Sequence, residues 1–451
     1  MNQAQAPAFN PDAPHMQRPK LRAVRGFPLQ AQDQDGKAIT LLGLSDARQV
    51  SDKLVATLPA AQFILPLMDG QRSLDEIITQ VGRGLARPFL EQLVAQLDDA
   101  GLLFGPTFDT MAESLRRQFD SQPNLPPGST AAFADALVGE EGKDLPEDER
   151  TRLGAQKIPE VFDQWMDQAA KLPTSRVLEA FPKALIAPHL DYGRGWMNYA
   201  AAWRCLPPNQ RPARVVVLGT NHFGEATGIC ACDKGYQTPL GLCPVDQELL
   251  EALRARLGPQ AADLAFANRY DHEREHSIEL QIPWIQHCFG KDDNGEYPRV
   301  FGVLVHDPCV NNGESYDGKG LALDPFIDAL RDVLAQLPGI TLVISSADLS
   351  HVGPAFGDQQ RLAGDEEPAK AFREKVLGHD QELLNYFREN RPEDLITAMA
   401  WQQNPTRWCS IGNMIAAHRL VRPERIEFFG YAGAMDSEGI SMVTSCAMAM
   451  L

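Results

Sequence analysis

The 451-residue sequence predicts a layered α/β domain in its C-terminal part, preceded by a small compact module. Two observations carry this prediction. From about Pro182 onward, strand-like and helix-like patterns alternate, as they do in a sheet covered by helices. Three of the apolar runs then end in residues that ligate metals or move protons. Leu185-Ile186-Ala187-Pro188 delivers His189, Val215-Val216-Val217-Leu218-Gly219-Thr220-Asn221 delivers His222, and Leu342-Val343-Ile344-Ser345-Ser346 runs into Asp348 and His351. In open α/β sheets the ligand crevice lies outside the carboxyl ends of the strands, so these residues are expected to converge.

The length exceeds what one core organises, so at least two domains are expected. A hydrophobic fraction of 44% with 23% charged residues is that of an ordinary globular protein. The formal net charge of -18 argues against nucleic acid or an anionic membrane as partner. The one basic stretch, Arg18, Lys20, Arg22 and Arg25, reads as a solvated arm. The N-terminus lacks the order of a signal peptide and no apolar run reaches the length of a membrane span, so a cytoplasmic location is expected. Eight scattered cysteines without framework spacing are expected to be reduced thiols.

Taken in order, residues 1–20 are Pro- and Gln-rich and are expected to be a disordered tail. Residues 21–105 form a compact module. Ser73-Leu74-Asp75-Glu76 is a capping box opening a short helix, Phe89, Leu90, Leu93, Val94 and Leu97 recur at helical spacing, and Gly101 stands where a C-terminal cap belongs. Leu102-Leu103-Phe104 is placed to begin a β-ribbon wing. Residues 106–181 contain the breaker Ser121–Thr130 and read as a linker with helical pieces. In residues 182–451 the alternating segments are 184–188, 194–205, 214–219, 246–257, 275–289, 299–305, 324–337, 341–346, 368–389, 409–420, 425–432 and 440–449, the last two being consecutive strands at an antiparallel edge.

His189 and His222, each behind a β-run, are candidate metal ligands, since imidazole suits iron, copper or zinc. Cys409 opens the predicted helix CSIGNMIAAHRL, where the helix N-terminus favours the thiolate, the ligand form. His276 and Glu279 stand three apart in EHSIELQIPWIQHCF, either as groups near the site or, for Glu279, as a helix cap or surface pair. His272-Glu273-Arg274-Glu275-His276 also satisfies the H-E-x-x-H pattern of zinc proteases, but apolar residues follow only after His276, whereas that chemistry needs both histidines on one buried helix.

The segments LMDGQRSLDEI and FLEQLVAQLDDAGLL resemble the winged-helix modules related to the PQQ-synthesis D protein. That resemblance implies a peptide or protein partner that adds a strand to the sheet. LIAPHLDYGRG, VVVLGTNHFG, EHSIELQIPW, VISSADLSHVG and CSIGNM are similar to the successive motifs of the MEMO family, which in bacteria includes the AmmeMemoRadiSam system protein B. This implies a fold similar to the class III extradiol dioxygenases and one metal ion held by two histidines and a cysteine, His189, His222 and Cys409. Asp348 and His351 would line the same pocket. Leu190-Asp191-Tyr192, Phe223 and Ser410-Ile411-Gly412-Asn413-Met414 depart from the family pattern, and Asp191 adds an acid beside the metal. A thiolate in place of the dioxygenase carboxylate favours Cu(I), zinc or a redox-active iron site, with iron or copper ahead of zinc, and redox chemistry rather than simple catechol cleavage.

The expected function is therefore a metal-dependent oxidoreductase, with His351 or His276 as acid/base and Asp348 orienting it. The alternative is a non-catalytic metal-binding protein that recruits a peptide. A zinc protease is the third and least supported reading. Oligomeric state is not legible in the sequence.

Overall fold

A computed structural model describes residues 7–32, 36–82 and 84–451, apart from the side chain of Glu141. The chain divides into two compact units, up to Gln122 and from Pro123 onward.

In the first unit a short helix α1 (Pro14–Gln17) precedes three antiparallel strands, β1 (Val24–Gln32), β2 (Ala38–Asp46) and β3 (Val55–Thr57), followed by α2 (Leu74–Val81), α3 (Arg87–Asp99) and α4 (Pro106–Ser121). The Ser73/Glu76 capping box opens α2. Gly101, at φ 67°, closes α3, with its N–H bonded to Asp98 O and that of Leu102 to Leu97 O, the double bond of a Schellman cap. In place of a ribbon, Leu103 makes a single bridge to Leu21.

The N-terminal segment departs from expectation in two ways. Within the tail expected to be disordered, residues 7–20 carry α1, and Met16 is buried in the core formed by Leu44, Ile77, Leu90 and Leu97; residues 1–6 lie outside the described residues. Arg22, expected on a solvated arm, is 3% exposed, donates to Asp46 Oδ2 and Gly101 O, and lies over the Phe108 ring. A buried guanidinium is tolerated only with such partners.

The second unit begins with β4 (Asn124–Leu125), α5 (Ser129–Val138) and α6 (Glu147–Ala169), so residues 123–181 are part of its architecture and not a linker. The cause is aromatic. Phe162 of α6 stacks on Trp284 at 4.0 Å, and Phe133 of α5 meets Tyr192 edge-on at 4.7 Å.

There follow β5 (Ala184–Ala187), α7 (Tyr192–Arg204), β6 (Arg214–Thr220), β7 (Cys230–Ala231), β8 (Gly235–Thr238), β9 (Gly241–Cys243), α8 (Gln247–Leu257), α9 (Pro259–Phe266), α10 (His276–Glu279) and α11 (Ile282–Phe289). The chain ends with β10 (Arg299–Val305), α12 (Leu323–Leu334), β11 (Thr341–Ser346), β12 (Asp348–Val352), α13 (Ala369–Arg388), α14 (Pro392–Gln402), α15 (Ile411–Val421), β13 (Ile426–Met435) and β14 (Met442–Met450). The segment 275–289, expected as one helix, is two, because Pro283 in the first turn of α11 has no N–H to continue the α10 ladder.

The main sheet runs β12-β14-β5-β11-β6-β10-β7, with β13 on the other edge of β14. Its centre, β5, β11, β6 and β10, is parallel, and these strands are buried along nearly their whole length, as helices on both faces require. Their carboxyl ends therefore open on one side. Among the described residues, no helix is long and apolar enough to cross a membrane.

Candidate metal centre

The site is assembled where these strands end. Pro188 stops β5, and Asp191 caps α7 by accepting from Arg194 N, which leaves His189 fixed between strand and helix. Beyond β6, Asn221 accepts from Gly224 N and donates to Asp271, shaping the turn that carries His222. Gly219 lets α10 pack onto β6, since a Cβ there would stand 2.6 Å from Ile278 and Ser277. His276 is the first residue of α10 and Glu275 its cap.

One donor nitrogen from each of His189, His222 and His276 lies within 4.8 Å of the others. The hydrogen bonds fix which atoms face inward. His189 Nδ1 lies 3.0 Å from Ser346 O, and a carbonyl only accepts, so Nδ1 carries the proton and Nε2 the lone pair. His222 Nδ1 lies 3.0 Å from Glu275 Oε1 and donates to it, which leaves Nε2 as the atom that would face a metal. His276 Nδ1 stands 3.4 Å from that same oxygen, and its ring stacks on His222 with centroids 4.8 Å apart. Cys409 Sγ is 3.4 Å from His189 Nε2 and 3.1 Å from Ser410 Oγ. The expected placement of Cys409 at the helix start is shifted slightly, because Ser410 is the cap and Cys409 precedes it.

Residues 155–449, well over half of the chain, match the family described as "Memo-like protein". The chain belongs to the Memo-like family. Among curated relatives, the MEMO1 family protein of Aquifex aeolicus is 24% identical over 362 residues, covering 79% of this chain and 81% of that protein. That of Thermus thermophilus is 27% identical over 263 residues, 58% of this chain and 69% of the relative. The Methanopyrus kandleri protein is 30% identical over 171 residues, 38% of this chain, which spans 53% of that relative. The mixed α/β architecture with its large sheet is consistent with this membership.

The electrostatics of the Memo-like site follow from burial and from one carboxylate. Burial, helped by the neighbouring histidines, holds His189 well below the usual imidazole range. Burial also opposes charge on His222, but Glu275 and the Cys409 thiol overcome it and hold that ring well above its ordinary value. Glu275 is fully buried, yet His222 and His276 pull it down to about 2. Asp348 goes the other way, pushed up to about 7 by burial, which outweighs the lowering effect of the backbone N–H groups of His189 and Leu190.

Asp348 Oδ1 accepts from His189 N at 3.0 Å, and Oδ2 stands 3.6 Å from His189 Nε2, beyond hydrogen-bonding reach. The contacts of Asp348 thus brace His189. His351 Nδ1 donates to Leu349 O, its backbone is tied to Thr406 O, and burial lowers its pKa to about 4.

The zinc-protease reading is overturned by the path of the chain. His272 closes a 3-10 turn, Arg269–His272, and is not on the helix of His276. Its Nε2 donates to Cys230 O and its Nδ1 accepts from Tyr236 Oη, so both nitrogens are occupied. Glu279 points elsewhere too, accepting from Gly128 N, Ser129 N, Thr130 N and Thr130 Oγ1 at the start of α5. Glu275 was missed in the sequence. Its only signal is its place within HEREH, directly before His276. Asn413, which donates to Ser346 O and Thr220 Oγ1 and so joins the ends of β11 and β6, left no sequence signal. The fourth parallel strand also ends in a histidine, His306, but its Nε2 donates to Gly313 O, outside the cluster.

Proposed function

We propose that this Memo-like chain is a metal-dependent oxidoreductase that holds one iron or copper ion with His189, His222 and Cys409. The observation that carries the reading is the orientation of two rings. Both Nδ1–H groups are committed to acceptors, Ser346 O and Glu275, which leaves each Nε2 as the atom available to a metal, and the Cys409 thiol touches that of His189. Two imidazoles and a thiolate suit a soft, redox-active first-row metal. When bound, such an ion supplies one-electron redox chemistry.

The chain's own residues then have separable tasks. Ser346 O and Glu275 fix the tautomers of the two ligand rings. His351, unprotonated at neutral pH and with Nδ1–H held by Leu349 O, accepts a proton at Nε2. Asp348 holds the backbone of His189 rather than orienting His351.

A second reading is favoured by His276. Three imidazoles and a thiol amount to four donors, the number that closes a structural site, and a closed site suits a metal-holding partner protein. In that reading the first unit, whose sequence resembles winged-helix modules of the PQQ-synthesis D type, recruits a peptide or protein.

Anaerobic loading with Fe(II) or Cu(I), followed by oxygen-uptake assays over phenols, thiols and peptides, separates the two. Metal-dependent turnover supports the oxidoreductase, and its absence with every substrate argues against it. A His189→Ala variant that loses metal but keeps partner capture supports the recruiting role.

A further inference from the structure

Outside the metal centre, a buried acid gathers hydrogen bonds from several segments of the second unit. Asp380, on α13, is fully buried, and both its oxygens accept hydrogen bonds from neutral groups on four separate segments. Oδ1 receives Ser350 Oγ at 2.5 Å and Trp408 Nε1 at 2.7 Å. Oδ2 receives Tyr431 Oη at 2.7 Å and Thr444 Oγ1 at 2.5 Å. The directions are unambiguous where they matter. An indole nitrogen only donates, and Thr444 Oγ1 already accepts from Ser350 N, which leaves its hydrogen for Asp380.

Two of these four donors belong to segments that carry site residues. Ser350 lies on β12 between Asp348 and His351, and Trp408 directly precedes Cys409. The segment leading to Cys409 is not regular structure. Gln403, Asn404 and Arg407 all have positive φ, which costs free energy in non-glycine residues and persists only when surrounding contacts hold it. Those contacts are present. Asn404 accepts from Trp408 N and donates to Trp408 O, Arg407 Nε donates to His351 O, and His351 N donates to Thr406 O. The strap that ends in Cys409 is therefore laced to β12, and both are pinned to one carboxylate.

We propose that Asp380 is a positioning residue that sets the thiol of Cys409 against His189, acting through Trp408 and Ser350. A carboxylate is suited to this because its two oxygens accept four bonds at once. A hydrophobic residue would fill the space without fixing the indole or the strand. The proposal rests on the reading of Cys409 as a metal ligand, and the experiment distinguishes the two.

The full-length protein is loaded with Co(II), whose near-ultraviolet thiolate-to-cobalt absorption reports the cysteine and whose visible bands report binding as such. Asp380→Asn removes acceptors, Trp408→Phe removes only the indole N–H, and Tyr431→Phe removes a bond to a strand that carries no site residue. Asp380→Asn and Trp408→Phe are expected to bind Co(II) about tenfold more weakly, to lose most of the thiolate absorption, and to keep the visible bands. Tyr431→Phe is expected to keep both. Wild-type protein that binds Co(II) without thiolate absorption overturns the ligand reading itself. Wild-type absorption that persists undiminished in Asp380→Asn and Trp408→Phe overturns the positioning role alone. If both variants lose native near-ultraviolet circular dichroism, or if Tyr431→Phe loses the absorption equally, Asp380 is a folding element only and the proposal fails.

Discussion

Glu275 contacts His222 at two atoms and His276 at one, so replacing it disturbs two imidazoles at once. In Glu275→Gln one carboxylate oxygen becomes an amide that donates, and the side chain can no longer accept both the backbone N–H and the Nδ1–H of His222. Metal affinity is expected to fall by about 10- to 100-fold, measured by competition with a chromogenic chelator. An unchanged affinity would remove Glu275 from the site.

His272 gives a prediction in pH. Burial lowers its pKa to about 4, whereas the unfolded chain titrates near the ordinary 6.5. Between these values the unfolded state binds more protons, so stability rises with pH across that window. The contribution is complete above 6.5 and is lost as pH falls towards 4, by at most about 3 kcal/mol. Urea unfolding at a series of pH values is expected to show a shallower slope for His272→Gln than for the wild type. Equal slopes would contradict the assignment.

At the scale of elements, the most consequential contact is the capping of α5 by Glu279. Three backbone N–H groups and the Thr130 hydroxyl share one buried carboxylate, four residues beyond Glu275 in the chain. Glu279→Ala leaves those donors unpaired and is expected to destabilise the second unit by about 3 kcal/mol, read from denaturant midpoints. A change below about 0.5 kcal/mol would show that water replaces the carboxylate without cost. Most elements of the C-terminal part were legible because each carries its own local pattern. β6, β10 and β11 are contiguous apolar runs, and α8 and α12 have a buried stripe at helical spacing. The departures from this reading have identifiable causes. Pro283 divides a helix that its apolar pattern makes continuous. In α6 an internal Pro159 and a polar surface obscured the stripe of Ile158 and Phe162, whose burial is decided by Trp284 far along the chain.

At the scale of the whole molecule, β14 is the strand that closes the sheet. One edge pairs with β13 along its length, and the other is divided between β12, at Met442–Ser445, and β5, at Met448–Met450. All nine of its residues are buried. Removing residues 442–451 is therefore expected to abolish cooperative unfolding and Co(II) binding together, by circular dichroism and spectrophotometric titration. A truncated protein with a native transition would refute this role. The division of labour between sequence and fold follows from range. The identity and order of the strand-end residues His189, His222 and Asp348 could be read directly, because parallel strands announce themselves locally and their ends must share one side of the sheet. Only the tertiary structure decided which carboxylate serves which group. Glu275 reaches His222 across 53 residues, Glu279 reaches Ser129 across 150, and Asp348 reaches His189 across 159. Contacts of that range leave no periodic trace in a sequence, because they are fixed by the packing of elements and not by the pattern within any one of them.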